Sequence, residues 1–199
     1  IERRMDAVLQ GHPYTKSAID AACWDILGKS TGQPVYTLMG GKLIDGGPMY
    51  RVVPQKAPEE VTREMELHRA NGYRQFQIKV GNDWKGDIDR IVSAASLIRP
   101  EESTFADANR GWTLREAIEV VRAVRQTGVM IEQPCATYEE CLHVRSRSEL
   151  PMKLDECITD LRMAERVVID HAAEVVCLKI SNLGGLTKAR RVRDYLVDH

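Results

Sequence analysis

The sequence has no excess of charge of one sign, since its 199 residues carry 28 Lys and Arg against 29 Asp and Glu. A chain without a net field has no general electrostatic attraction for nucleic acid or for an anionic membrane surface. Long apolar runs are also missing, and the first residues, IERRMDAVLQ, have no apolar core of the kind that a secretory signal requires. We therefore predict a cytoplasmic protein whose partner is a small molecule, with no binding to nucleic acid or to membranes.

The cysteines lack the spacing of a metal knuckle or of a disulfide framework. There are five of them, an odd number, and no two form a CxxC pair. These features predict reduced thiols, each packed as a small buried hydrophobic side chain. The cysteines are Cys23, Cys135, Cys141, Cys157 and Cys177.

A nucleotide-type glycine loop is absent as well, and from about Tyr50 onward the sequence shows a regular alternation instead. Short apolar runs alternate with amphipathic stretches, and the apolar runs are MYRVV, FQIKV, STFAD, VMIEQP, PMKLDE and VVCLKIS. This alternation predicts parallel βαβ units, and a succession of such units favours an α/β fold of the (β/α) TIM-barrel type. An open, doubly wound sheet is the alternative.

One helix is predicted ahead of the barrel, from about Tyr14 to Lys29. Its apolar face, which we expect in the core, contains Ala18, Ala21, Ala22 and Trp24. We place a helical segment at residues 1–46 and a barrel domain at residues 47–199. A complete barrel needs about 250 residues. We therefore expect a portion of a longer polypeptide, without the N-terminal domain and the last two barrel units.

Five ionisable residues occur at the ends of successive predicted strands, one βα unit apart. They are Lys79, Asp107, Glu132, Asp155 and Lys179, at intervals of 28, 25, 23 and 24 residues. In a parallel barrel these strand ends face one mouth, where barrel enzymes have their active sites. Any one of these residues could be a solvated rim residue or a salt-bridge partner, but five in phase have no packing rationale. We therefore predict that they converge at an active site.

The three carboxylates of this set need a cation between them. Their mutual repulsion and their loss of hydration would otherwise be prohibitive. Asp107, Glu132 and Asp155 are hard oxygen donors without a histidine or cysteine on the neighbouring strands. This donor set predicts Mg²⁺, with Mn²⁺ as a substitute.

The fragments FQIKVGND, FADANRGW, IEQP, KLDE and CLKISNLGG occur in an order that resembles the enolase superfamily, in particular its muconate-lactonizing subgroup. The resemblance covers nearly the whole chain, because HPYTKSAIDAACWDILGK is similar to the family's helix leading into the barrel. It implies a modified, enolase-like barrel preceded by a capping domain that is absent or partial here. It also implies that Asp107, Glu132 and Asp155 bind the metal. Lys79 and Lys179 are then the catalytic residues, which stand on opposite faces of the substrate and carry its protons.

Three further residues are weaker candidates for contacts with the substrate or the metal shell. Gln77 stands where the family often has a lysine, so the pKa of Lys79 would have to be lowered by the metal and by burial. Asn109 could contact the metal shell or a lysine, or could simply belong to a turn. Glu156 could lie close to the metal, although strand alternation would turn it away from Asp155.

The resemblance implies a lyase or isomerase that removes the proton alpha to a carboxylate and forms a metal-stabilised enediolate. Similarity to enzymes that act on proline derivatives makes dehydration of cis-3-hydroxy-L-proline, a step of amino-acid catabolism, the expected activity. The alternatives are epimerisation at carbon 2 of hydroxyproline betaine, epimerisation of a dipeptide or another amino-acid derivative, and a muconate-type cycloisomerisation. Relatives commonly form homo-oligomers, and we expect one here.

Two other classes stay open. A sugar-acid dehydratase of the mandelate racemase branch would usually have a histidine base, whereas Lys179 occupies the sixth strand here. A barrel that has lost activity and serves as a binding or assembly subunit is disfavoured, because buried charges that cost stability would not be kept without a function.

Overall fold

The structure, a computed structural model, describes residues 1–42 and 44–199, which form six strands and ten helices. The strands are Tyr50–Val53 (β1), Gln75–Lys79 (β2), Ser103–Asp107 (β3), Met130–Glu132 (β4), Met152–Leu154 (β5) and Val175–Val176 (β6). The helices are Glu2–Val8 (α1), Pro13–Thr31 (α2), Val35–Leu38 (α3), Pro58–Ala70 (α4), Trp84–Ala95 (α5), Leu114–Ala123 (α6), Tyr138–Arg145 (α7), Leu161–Ile169 (α8), Ile180–Leu183 (α9) and Leu186–Asp198 (α10). None of these helices combines the length and the apolar character needed to cross a membrane.

The strands form one parallel sheet in which their spatial order is their order in the chain, from β1 to β6. The predicted alternation of strands and helices is confirmed. A doubly wound sheet would reverse its strand order at a switch point, so this order excludes the alternative. The short helices α3 and α9 are not among the predicted elements, and β5 and β6 are shorter than the apolar runs that contain them.

The sheet belongs to a compact unit made of Pro48–Cys157 and Asp170–Val176. Two residues of β2, Phe76 and Ile78, are 0% and 1% exposed, and α5 packs beside this strand. Successive side chains of a strand point to opposite faces of the sheet. The residues that alternate with this apolar pair, Gln77 and Lys79, therefore lie on the other face of the sheet.

A buried ion pair joins the end of α4 to the segment before β3. Arg69 Nε donates to Glu102 Oε1 at 2.6 Å, and Arg69 Nη2 donates to Glu102 Oε2 at 2.8 Å. The two side chains are 5% and 0% exposed. The bonds from the guanidinium are the largest cause that holds the pKa of Glu102 below its ordinary value of 4.5.

We expect Glu102 to make the stability of the fold sensitive to acid. Because its pKa is lower in the folded chain than in the unfolded chain, its contribution is present above pH 4.5 and is lost as the pH falls through the lowered pKa. Glu102→Gln should lower the free energy of unfolding by about 3 kcal/mol at neutral pH, with a smaller loss in acid. Urea unfolding at a series of pH values measures this. A difference from wild type that is the same at every pH would contradict the prediction.

A second compact unit consists of Ile1–Gly47, Ile158–Ile169 and Cys177–His199. Within it, Asp20 on α2 accepts hydrogen bonds from Thr187 at the start of α10, at 2.9 Å from the backbone nitrogen and 2.7 Å from Oγ1. The buried residues of α2 are Lys16, Ser17, Asp20 and Gly28. The domain boundary that we predict at residue 46 stays a prediction.

The helix predicted from Tyr14 to Lys29 is present, but the prediction that its apolar face lies in the core is wrong. The three alanines of that face, Ala18, Ala21 and Ala22, are exposed. Trp24 is half-buried, and its Nε1 donates to Thr187 Oγ1 at 2.9 Å. The reason is that the side of α2 that packs against α10 carries Asp20 and Trp24, both bonded to Thr187, while the three alanines lie away from that contact.

All five cysteines are free thiols, as predicted. Cys135 and Cys141 are buried, and burial raises the pKa of each thiol to about 12. Cys23, Cys157 and Cys177 are only half-buried, so the prediction of small buried side chains holds for two of the five.

Candidate active site

Four charged residues, which we call the charged row, lie side by side across the sheet, one on each strand from β2 to β5. The strand register pairs Lys79 with Asp107, Asp107 with Glu132, and Glu132 with Lys153. Residues at one level of a parallel sheet point to the same face. The spacing found in the sequence therefore brings Lys79, Asp107 and Glu132 together, and both carboxylates are 1% exposed.

Gln77 binds both central carboxylates. Its Nε2 donates to Asp107 Oδ2 at 3.0 Å and to Glu132 Oε2 at 2.9 Å. One amide nitrogen therefore holds two carboxylate oxygens close to each other. The ammonium of Lys79 forms an ion pair with the same oxygen, Asp107 Oδ2. Strand β2 thus supplies one neutral and one charged donor to Asp107.

Lys153 belongs to this cluster but is not among the residues predicted from the sequence. Its Nζ lies 3.0 Å from Glu132 Oε1, and its side chain is 12% exposed. The same nitrogen lies 4.4 Å from the ring centroid of Phe105 and 5.5 Å from that of Tyr50, at distances typical of cation–π contacts. The pattern that indicates this lysine is strand alternation, because it precedes Asp155 by two residues and so shares its face.

Asn109 links Lys79 to Glu156. Lys79 Nζ donates to Asn109 Oδ1 at 2.7 Å, and Asn109 Nδ2 donates to Glu156 Oε1 at 3.0 Å. The backbone nitrogen of Asn109 also donates to Asp107 Oδ1 at 2.9 Å. From the sequence, strand alternation is expected to turn Glu156 away from Asp155. That rule does not apply here, because β5 ends at Leu154, before both residues. Both weaker candidates therefore contact the cluster.

The loops that follow β2 and β3 are packed backbone against backbone. A Cβ atom on Gly81 would lie 2.3 Å from the carbonyl oxygen of Ala108, and one on Gly111 would lie 2.1 Å from the carbonyl oxygen of Gly81. Asp87, at the start of α5, is 0% exposed and accepts hydrogen bonds from Gly81 N at 2.8 Å and from Trp112 Nε1 at 2.9 Å. The two loops beside the charged row are thus fixed against each other.

The pKa of Glu132 is raised above its ordinary value of 4.5. Burial is the largest cause, and the negative charge of Asp107 is the second. The contacts from Gln77 and Lys153 lower the pKa but do not offset these two effects. The charged form of Glu132 is therefore disfavoured, first by its burial and then by the neighbouring carboxylate.

The oxygen donors of the cluster fit Mg²⁺. Asp107, Glu132 and Asp155 are hard oxygen donors, and all three are buried, with 1%, 1% and 4% of their surface exposed. Within residues 1–42 and 44–199, no three Asp, Glu, His or Cys side chains are already arranged to hold a metal ion. Gln77 and Lys79 lie on the carboxylate oxygens instead. The metal-ligand set stays a prediction.

The second predicted proton carrier, Lys179, lies in the other compact unit. It is the N-cap residue of α9 and follows the end of β6 at Val176. It is therefore not the last residue of a strand, and neither is Asp155, which follows β5 directly. Strands β5 and β6 therefore end earlier than the sequence predicts, at Leu154 and Val176. The catalytic role of Lys179 stays a prediction.

Two family models match the chain. The model for the enolase C-terminal domain-like family matches residues 60–199. The model for the N-terminal domain of mandelate racemase / muconate lactonizing enzyme matches residues 2–40.

Solved structures of this family have the same fold. A mandelate racemase/muconate lactonizing enzyme from Roseovarius nubinhibens ISM is 59% identical, with a TM-score of 0.94 over 99% of this chain and 55% of that one. A member of the enolase superfamily from the same organism, complexed with magnesium, is 37% identical, with a TM-score of 0.93 over 99% of this chain and 54% of that one. The predicted fold class, an enolase-like α/β barrel present as about six βα units, is confirmed.

Curated relatives include enzymes of more than one reaction type. The cis-3-hydroxy-L-proline dehydratase of Roseibium aggregatum is 49% identical over 100% of this chain and 54% of its own length. The N-succinyl-L-Arg/Lys racemase of Bacillus cereus is 32% identical over 95% of this chain and 52% of its own length. The chain spans about half the length of the curated relatives it matches.

Parallel strands in sequential order, with buried carboxylates and a lysine along one face, define the class of α/β barrels with an acidic site at the strand ends. Within that class, the chain belongs to the mandelate racemase/muconate lactonizing enzyme family of the enolase superfamily.

Proposed function

We propose that the full-length protein is a Mg²⁺-dependent lyase that removes the proton alpha to the carboxylate of cis-3-hydroxy-L-proline and eliminates water. The observation that carries this proposal is the buried pair Asp107 and Glu132, which Gln77 bridges beside the ammonium of Lys79. The identity of 49% to a cis-3-hydroxy-L-proline dehydratase over the whole chain supports the substrate.

In this proposal Asp107, Glu132 and Asp155 hold the Mg²⁺, with Mn²⁺ as a substitute. When bound, the ion supplies positive charge where negative charge develops on the substrate carboxylate. Gln77 and Lys153 orient the two buried carboxylates, since each donates to a different oxygen of Glu132.

Lys79 and Lys179 move the protons in this proposal. Lys79 is held by its ion pair with Asp107, and 30% of its side chain is exposed, so it can reach a bound substrate. In the cis isomer the alpha proton and the hydroxyl are on opposite ring faces. One lysine takes the Cα proton, and the other donates a proton to the leaving hydroxyl. The Cα–H and Cβ–O bonds break, a carbon–carbon double bond forms, and the resulting enamine tautomerises to a ring imine.

Epimerisation of an amino-acid derivative is the second candidate. It is favoured by the 32% identical racemase and by the structure of a dipeptide epimerase from Cytophaga hutchinsonii complexed with Mg and D-Ala-L-Val. That structure is 25% identical, with a TM-score of 0.88 over 98% of this chain and 54% of that one. In this reaction the second lysine returns a proton to Cα from the opposite face, and no other bond breaks.

Incubation of the full-length protein with cis-3-hydroxy-L-proline and Mg²⁺ in D₂O distinguishes the two reactions. Dehydration gives the ring imine, visible by NMR and mass spectrometry, and this is the expected result. Epimerisation would return a diastereomer with deuterium at Cα and no loss of water. Exhaustive EDTA treatment should abolish turnover, and Mg²⁺ should restore it; activity without any metal would contradict the proposal.

A diastereomer of the substrate provides the matched control. In trans-3-hydroxy-L-proline the alpha proton and the hydroxyl share a ring face, so two proton carriers on opposite faces cannot promote its elimination. We expect no imine from this compound under the conditions that convert the cis isomer. Equal conversion of both isomers would exclude the arrangement of an acid and a base on opposite faces.

A further inference from the structure

Gln133, the residue after Glu132, has an unusual backbone and a completely buried side chain. It is 0% exposed, and its φ of 37° lies in the left-handed region, which is uncommon for a residue with a side chain. A backbone of this kind persists only where the surrounding contacts impose it, and it occurs most often at functional sites.

The side chain of Gln133 forms hydrogen bonds with both ends of its amide. Its Oε1 accepts from the backbone nitrogens of Asp155 at 3.0 Å and of Cys157 at 3.3 Å. Its Nε2 donates to the carbonyl oxygen of Cys135 at 3.1 Å and lies 3.6 Å from Cys141 Sγ. The oxygen faces two donors and the nitrogen faces two acceptors, so the amide has one favourable orientation.

The backbone of Gln133 is bonded to strand β5 on one side and to the loop after β3 on the other. Its nitrogen donates to the carbonyl oxygen of Lys153 at 2.9 Å, and its carbonyl oxygen accepts from the nitrogen of Arg110 at 2.9 Å. In a regular parallel ladder that carbonyl would instead accept the bond from Asp155 N. Because the carbonyl is turned toward the loop after β3, the side-chain oxygen of Gln133 takes its place.

We propose that Gln133 is a positioning residue that fixes Asp155 relative to Glu132. The proposal rests on the proposed function, in which these two carboxylates hold the same metal ion. Glu132 is adjacent to Gln133 in the chain, and Asp155 begins where strand β5 has ended. The amide of Gln133 therefore sets the distance between the two ligands at the point where the main-chain ladder stops.

Small displacements matter at such a site. Metal ligands bind well only within a narrow range of distances and angles, and residues that orient the ligands typically contribute 10- to 100-fold to metal affinity. The buried bonds of Gln133 supply this orientation without contributing a ligand atom.

The test uses Gln133→Met in the full-length protein, because methionine matches glutamine in length and forms none of its hydrogen bonds. The dissociation constant for Mn²⁺ alone, measured by electron paramagnetic resonance, should rise by about 10- to 100-fold. Gln133→Glu keeps an acceptor for the nitrogens of Asp155 and Cys157, so its affinity should fall between those of Gln133→Met and wild type.

Thr104→Val is the matched control. Thr104 is 9% exposed, and its Oγ1 donates to the carbonyl oxygen of Phe76 at 3.0 Å on the same sheet. Like Gln133→Met, this variant loses a buried hydrogen bond. The lost bond, however, does not involve a residue that carries one of the carboxylates. Its affinity for Mn²⁺ should stay within about twofold of wild type, since the site is unchanged. Melting temperatures of all three variants report the accompanying loss of stability.

The outcomes separate the inference from the proposed function. Wild type that binds no Mn²⁺ would overturn the proposed function and the inference together. Wild type that binds Mn²⁺, with an unchanged affinity in Gln133→Met, would overturn the positioning role alone. An equal loss of Mn²⁺ affinity in Thr104→Val would also overturn the positioning role, because the affinity would then depend only on the stability of the fold. If Gln133→Met does not fold, an unchanged affinity in Gln133→Glu would overturn the role.

Discussion

Lys79→Ala should lower the turnover of the full-length protein by about 10²- to 10⁴-fold, which is the contribution expected of a positioned general acid or base. The ammonium of Lys79 is held by Asp107 Oδ2 and Asn109 Oδ1, so the variant removes a proton carrier at a defined place. Binding of Mn²⁺ should persist, because the lysine is not a predicted ligand. Steady-state kinetics and a metal titration on the same preparation measure both effects.

Comparison with Lys179→Ala assigns the two roles. The lysine whose loss stops exchange of the alpha proton in D₂O is the base, and the one whose loss stops only elimination is the acid. Lys85→Ala is the matched control, since this exposed lysine on α5 contacts the ring of Trp84, 5.4 Å from the centroid. Turnover of the control should equal that of wild type. Both active-site variants dehydrating at the wild-type rate would exclude the mechanism with two lysines.

Lys153→Met should destabilise the metal-free protein by about 3–5 kcal/mol, because it removes the cation from a buried ion pair and leaves the Glu132 carboxylate behind. Methionine keeps an apolar side chain between Phe105 and Tyr50, so lost packing contributes little. In the proposed function, Asp107, Glu132 and Asp155 hold Mg²⁺, and the added ion then supplies positive charge to the cluster. The stabilisation produced by Mg²⁺ should therefore be larger in the variant than in wild type, as measured by chemical unfolding with and without the ion.

A surface lysine gives the matched comparison. Lys188 Nζ lies 2.9 Å from Asp6 Oδ2, where the two side chains are 30% and 42% exposed. Lys188→Met should cost less than about 1 kcal/mol, because water screens the pair. Its response to Mg²⁺ should be that of wild type. If Lys153→Met behaves like Lys188→Met, the ammonium of Lys153 has no special role beside Glu132.

The charged row could be predicted from the sequence because two regular quantities determine it. One βα unit sets the interval between strand ends, and the register of a parallel sheet places those ends at one level. Lys79, Asp107 and Glu132 follow both rules, and the structure brings them together. The strand order follows from the same regularity, since each helix returns the chain to the next parallel strand.

The remaining features depend on contacts that no periodicity describes. Strand alternation gives the face on which Lys153 lies, but only its contacts with Glu132 and Phe105 account for a charge within an apolar run. Gln133 owes its place to a carbonyl group that turns toward another loop. The exposed face of α2 could not be predicted either, because hydrogen bonds of Asp20 with α10 decide which side of the helix is buried.

The backbone contact between Gly81 and Gly111 limits how this protein could be altered to accept other substrates. A side chain at either position would meet a carbonyl group of the facing loop, which has no rotamer by which to move aside. Substitution there would separate the segments that carry Lys79 and Asn109. The two glycines line a cavity of about 410 Å³ together with Lys79 and Asn109. Gln55 and Asn82 also line it, and their side chains, which are not fully buried, are joined by a hydrogen bond. A variant library that randomises this amide pair and leaves both glycines unchanged would vary the walls of the cavity while keeping the charged row in place.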